Sequence, residues 1–305
     1  MASSGSKPPG AWQFQSAGFT DLVVRSMRKL YPEELADRSW DNVGLLVGNE
    51  ERGGVVPRVL VTNDLTYQVA DDAIRQGASV IVSYHPFIFS GLKSITSKDP
   101  QQATLLRLVR AGIAVYCPHT AVDAAPTGLN SWLADVIAGP HRSERSVAVP
   151  AASQPEPSQQ VGYGAVGRFD APVALTEILR RLARSLGGLR HVMIARPVGA
   201  EIATTSVGSF AVCAGSGYDV LKAVEADLLV MGETSHHSAL RAIQQGRTLV
   251  QVFHSNSERA YLHQVLSPRL QELLREKVPE AEVVVSEYDK DPFTILDMRD
   301  LGEDA

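Results

Sequence analysis

Phe19, Leu22, Val23, Met27 and Leu30 recur at spacings of 3, 1, 4 and 3, which is one face of an amphipathic helix that Tyr31-Pro32 ends. A short apolar strand, Val43–Val47, follows between Asn42 and Gly48. From there the pattern alternates. Strands are predicted at Arg58–Thr62, Ser79–Ser83 and Ile113–Tyr116, and helices at Tyr67–Gly77, Gln101–Ala111 and Leu129–Ile137. The strands are continuous apolar runs, the pattern of strands covered on both faces.

The stretch 140–160 breaks this rhythm. Pro140, Pro150, Pro155 and Pro157 stand among Ser, Gln and Ala with no apolar period, which predicts a linker or surface loop. Alternation then resumes. Strands are predicted at Gly164–Phe169, His191–Ala195, Ser206–Cys213, Leu228–Met231, Thr248–Phe253 and Glu282–Ser286. Helices are predicted at Thr176–Leu186, Tyr218–Val224, His237–Gln245 and Ser257–Arg275. The fold class read from this is α/β, with two similar-sized modules of largely parallel strands joined by the Pro-rich stretch. The modules are 19–139, completed by 240–305, and 161–239. Residues 1–18, small and polar with two adjacent prolines, read as a disordered tail.

At 305 residues a core needs no disulfide or metal staple. The net charge of −5 carries no general basic face, so neither nucleic acid nor an acidic membrane is an expected partner. Two cysteines fit a reducing compartment, read as the cytoplasm, with nucleus and mitochondrion left open. No apolar run reaches the length of a transmembrane helix.

The chemistry-bearing residues cluster at strand ends. His85 follows the strand ending at Ser83, and His119 and Asp123 follow the one ending near Tyr116. Glu233 follows the strand ending at Met231, and His254 and Glu258 follow the one ending at Phe253. Carboxyl ends of parallel strands are where α/β sheets bind ligands. Histidine with carboxylate and without thiolate suits a divalent ion such as Zn, Fe, Mn, Co or Mg. His254 and Glu258, four apart, fall on one face if they open a helix.

Taken singly, each has a plainer reading. His85 or His119 alone is a surface or hydrogen-bonding histidine, and Glu258 alone is a first-turn carboxylate facing a helix dipole. The adjacent His236 and His237 point to different sides of a helix, which favours supporting or capping roles. Gly162, Gly164 and Gly167 match a dinucleotide fingerprint but follow a linker and precede a strand, so that reading fails. Gly215-Ser216-Gly217 reads equally as an anion cradle and as a tight turn.

These segments together resemble one family. Trp40-Asp41-Asn42-Val43-Gly44-Leu45, Ser83-Tyr84-His85-Pro86, and His119-Thr120 through Asp123 with Gly128-Leu129-Asn130 carry the resemblance in the first half. Gly164 to Phe169, Gly215-Ser216-Gly217, Gly232-Glu233 with His236-His237, and His254 through Arg259 carry it in the second. The chain is similar to the family of Ngg-one-interacting factor three, also called GTP cyclohydrolase one type-two-like, in its eukaryotic form. The resemblance implies a two-domain α/β fold, a metal site in the cleft and ring-shaped homo-oligomers, commonly hexamers. It implies His85, Asp123, His254 and Glu258 as metal ligands, with Glu258 and Glu233 as the catalytic carboxylates. Bacterial members carry a histidine where this chain has Tyr84, which puts a second ion in question. The implied activity is metal-dependent hydrolysis of a nucleotide or phosphorylated small molecule; the rival role is a regulatory factor bound to a transcription-related protein.

Overall fold

The computed structural model describes residues 18–50, 56–154, 160–297 and 299. Most of the segment read as a disordered tail therefore lies outside the described residues; Gly18 already opens the first helix. Two sheets organise the chain. The first runs β1 (Gly44–Val47), β4 (Ala114–Cys117), β3 (Val80–Ser83), β2 (Arg58–Thr62), β11 (Glu282–Val285), with only β1 antiparallel to its neighbour. The second runs β5 (Ser143–Pro150), β6 (Gly162–Ala174), β8 (Ser206–Cys213), β9 (Leu228–Met231), β10 (Thr248–Gln251), β7 (Met193–Ala195). Its centre, β8-β9-β10, is parallel, while β5, β6 and β7 pair antiparallel.

Every residue of β3, β4, β9 and β10 is buried, as continuous apolar runs require of strands covered on both sides. Helices α1 (Gly18–Leu30), α2 (Tyr67–Arg75), α3 (Pro100–Ala111) and α5 (Leu129–Ala138) form where the apolar period predicts them. Local chemistry sets their ends. Asp99 caps α3 by accepting from the Gln102 amide, Pro100 stands at its start, and Gly112 closes it in the left-handed region at φ 70°.

Three expectations are corrected. The Pro-rich stretch read as a linker supplies β5 over 143–150, which pairs along β6 at the edge of the second sheet. An edge strand tolerates Pro150 because one side of its ladder is unpaired. Residues 155–159 lie outside the described residues. The second sheet also takes β10, beyond the 239 boundary, whereas β11 returns to the first sheet beside β2. Lastly, the single helix read over Ser257–Arg275 is α9 (Asn256–Tyr261), a wide turn over Leu262–Leu266 and α10 (Ser267–Arg275). Pro268 has no N–H to donate back into that turn, so the backbone widens ahead of it.

Candidate metal centre

The carboxyl ends of both parallel centres face one cleft of about 620 Å³. His85, Asp123, His254 and Glu258 all line it. The backbone beyond β3 stays in sheet-like register, with the Tyr84 amide donating to Thr62 O at 2.9 Å and the His85 amide to Asn63 O at 3.0 Å. That register delivers His85 to the cleft floor. The turn after β10 delivers His254 next to α9, whose first turn carries Glu258, 2% exposed.

The two histidines converge on one oxygen. His85 Nε2 lies 3.6 Å and His254 Nε2 3.3 Å from Glu258 Oε1. Donor atoms of the three residues fall within 4.8 Å of one another. Each histidine is held from behind by a second carboxylate: His85 Nδ1 by Asp64 Oδ1 at 2.9 Å, and His254 Nδ1 by Glu233 Oε1 at 3.0 Å. Asn63 Nδ2 donates to the other oxygen of Glu258 at 3.0 Å.

Charge follows from this packing. Burial alone would raise the Glu258 carboxyl, but the two imidazoles hold it at about 2. Burial would lower His85, yet Asp64 and Glu258 lift it to about 10. The Glu258 contact lifts His254 to about 9 against its burial. Two imidazoles packed on one buried carboxylate, each with a carboxylate behind it, are groups that could hold a divalent ion. An ion there would take the place of the two Nε2 protons, and Asp64 and Glu233 would keep Nδ1 protonated and fix the tautomer. Tetrahedral ligands about 2.0–2.1 Å from zinc stand roughly 3.3 Å apart, close to the spacings seen. The residues present therefore fit a divalent ion.

Asp123 lies in the short helix α4 (Thr120–Ala124) and faces the cleft, but its Oδ1 accepts the Tyr84 hydroxyl at 2.6 Å. It stands outside the converging group of three. Burial raises its carboxyl to about 6, and burial raises the Tyr84 phenol further above its ordinary range. His119 begins α4 at φ 28°, with Nδ1 2.8 Å from the buried Asp41 Oδ1. Its ring stands 5.2 Å from that of His85. Thus three carboxylate-backed histidines face one space. His236 and His237 start α8 (His236–Gln244) on the exposed surface, away from it.

The Gly215-Ser216-Gly217 turn serves close approach. Gly215 sits at φ +60°, and a Cβ there would meet Glu258 Oε1 at 3.0 Å and His254 Nε2 at 3.1 Å. Its amide is already committed to Ser257 Oγ at 2.9 Å. Asp64, Asn63 and Asp41 are functional neighbours that sequence reasoning missed. Asn63-Asp64 directly follow the strand ending at Thr62, so the same strand-end criterion, applied there, points to them.

Comparison with known proteins shows the family and the fold. The family model Duf34/NIF3 (NGG1p interacting factor 3) matches residues 20–292. A Schizosaccharomyces pombe protein, "Protein NIF3 homolog", is 41% identical over 281 residues, 92% of this chain and 99% of that one. The Saccharomyces cerevisiae protein "NGG1-interacting factor 3" is 38% identical over 286 residues, 90% of this chain and 96% of that one. Among solved structures, a Bacillus cereus protein related to NIF3 superposes with a TM-score of 0.72 at 20% identity, covering 90% of this chain and 98% of that one. Reduced HcgD from Methanocaldococcus jannaschii gives 0.69 at 20% identity, with the same coverage of each chain. Match length and identity together place the chain in the Duf34/NIF3 (NGG1p interacting factor 3) family, in its eukaryotic branch.

Proposed function

We propose that this chain is a divalent-metal-dependent hydrolase acting on a nucleotide or phosphorylated small molecule. The observation that carries the reading is the convergence of His85 Nε2 and His254 Nε2 on the buried Glu258 Oε1. A divalent ion held by these atoms supplies Lewis acidity and an acidified water near neutral pH. Asp64 and Glu233 act through the histidines, keeping both Nε2 lone pairs turned inward. Glu233 is thereby a positioning residue. Asp123 remains a ligand candidate for a second ion once the Tyr84 hydroxyl yields its oxygen. His119, its Nδ1 committed to Asp41, keeps Nε2 for moving a proton between water and leaving group.

Elemental analysis of the purified chain, followed by hydrolysis assays on a nucleotide panel, tests the proposal. About one ion or more per chain with ion-dependent turnover supports it; a chain that takes up no divalent ion and turns over nothing overturns it. A second reading, a regulatory protein that binds a transcription-related partner, is favoured by the printed name of the S. cerevisiae relative. Ion binding without turnover, together with capture of such a partner, would support it. We also propose self-association into a homo-oligomer, with a hexamer expected. Phe293, Ile295 and Leu296 offer exposed apolar surface for it. Sedimentation at the monomer mass at micromolar concentration would refute this. No helix among the described residues is long and apolar enough to cross a membrane.

A further inference from the structure

Trp40 is 51% exposed although it lines the cleft beside the three converging side chains. Large aromatic surface left open to water needs a reason when it is also held rigid. Here every restraint can be named. The indole N–H donates to Asp37 Oδ2 at 3.0 Å. Its ring meets His119 edge-on, at 87° and 5.7 Å between centroids. Phe89, also 51% exposed, backs it at 6.1 Å. Asp37 is fastened in turn, its amide donating to Thr120 Oγ1 at 3.1 Å. Thr120 also donates to Asp41, the partner of His119. The platform and the cleft histidine are therefore one hydrogen-bonded unit.

The electrostatics of the cleft point the same way. Among the described residues its wall has no lysine or arginine, while Asp37, Asp123, Asp219 and Glu258 all contribute to it. Away from the three converging side chains, a phosphate would meet these carboxylates with no lysine or arginine to pair it. A planar ring meets the half-exposed indole without that penalty.

We propose that Trp40, backed by Phe89, is the subsite for a planar nitrogen heterocycle. This rests on the hydrolase reading only for the statement that the bound ring belongs to a substrate. It narrows the ligand to a nucleobase-like compound presented beside His85 and His119.

The test is calorimetric titration of the zinc-loaded full chain with guanosine, adenosine and cytidine as planar probes and ribose 5-phosphate as the non-planar phosphate. At least one nucleoside should bind, and Trp40→Ala should weaken it by about tenfold or more, the size of one lost base–aromatic stack. Trp40→Phe should restore most of the loss. Ribose 5-phosphate, which can reach the ion but has no ring to stack, should ignore both substitutions. The proposal is overturned if no nucleoside binds or if Trp40→Ala leaves nucleoside affinity unchanged. It is equally overturned if Trp40→Ala weakens ribose 5-phosphate as much as the nucleosides, or if Trp40→Ala changes only the oligomeric state. Turnover is not read, so a chain that binds the ring and hydrolyses nothing refutes the hydrolase reading and leaves the subsite standing.

Discussion

Tyr84 donates its hydroxyl hydrogen bond to Asp123 Oδ1 at 2.6 Å in the cleft wall. The bond occupies an oxygen that the family resemblance assigns to a metal ion. A neutral phenol is a poor ligand for a divalent ion, whereas imidazole binds one well near pH 7. Tyr84→His should therefore raise the ion content from about one toward two per chain. Elemental analysis of native and substituted protein, prepared identically, checks this. Two tightly held ions in the native chain, unchanged by the substitution, would contradict it.

Removing a carboxylate behind a histidine should loosen the ion without touching a ligand. Asp64→Ala frees His85 Nδ1 and Glu233→Ala frees His254 Nδ1. Loss of such outer partners costs about 10–100-fold in metal affinity. His85→Ala or His254→Ala, which deletes one of three ligands, should cost more. Competition titration with a chromophoric chelator measures both; equal losses for the two classes would count against the assignment.

Proton release should accompany metal uptake. His85 and His254 reach about 10 and about 9 in the ion-free chain, so both are protonated at pH 7. Binding must then expel close to two protons per ion, and apparent affinity should climb steeply with pH until about 9. Calorimetry in buffers of different ionisation enthalpy counts them. Release near zero would mean the histidines do not ligate.

The same shifts set the pH range of the ion-free fold. Raised histidines contribute stability that is complete below their ordinary 6.5 and is lost as pH rises through about 9 and then about 10. Glu258, depressed to about 2, contributes stability present above its ordinary 4.5 and lost as pH falls toward 2. Thermal stability of chelator-treated protein should be highest between the ordinary values of 4.5 for Glu258 and 6.5 for the histidines and should fall on both sides. A midpoint still rising above pH 10 would be inconsistent with the histidine–Glu258 contacts.

Gly215→Ala tests the close approach of the turn after β8. The new Cβ would stand 3.0 Å from Glu258 Oε1 in a left-handed backbone at φ +60°. Strain of this kind costs about 1–3 kcal/mol. Lower thermal stability and weaker ion binding are both expected, with the far-ultraviolet dichroism of the folded chain retained. Unchanged metal affinity would show that the turn does not shape the site.

Much of the architecture was written locally. Continuous apolar runs in Arg58–Thr62, Ser79–Ser83 and Leu228–Met231 identified doubly covered strands, because a strand buried on both faces cannot alternate. Polar residues placed just past such runs, the one ending at Phe253 included, picked out His85, His254, Glu258 and Glu233, since a strand's end is a chain-local property. What needed the tertiary structure was every relationship between segments. Nothing near Tyr84 in the chain announces that its hydroxyl meets Asp123, nor anything near His85 that Asp64 takes its Nδ1. The strand at 143–150 escaped notice because its partner β6, not its own composition, makes it a strand. Trp40 reads in the sequence as one element of a motif, and only packing places it in the cleft. Periodicity and punctuation report each residue's own backbone and burial, whereas distances between strand ends arise only when two sheets, assembled from non-adjacent segments, bring their carboxyl edges together.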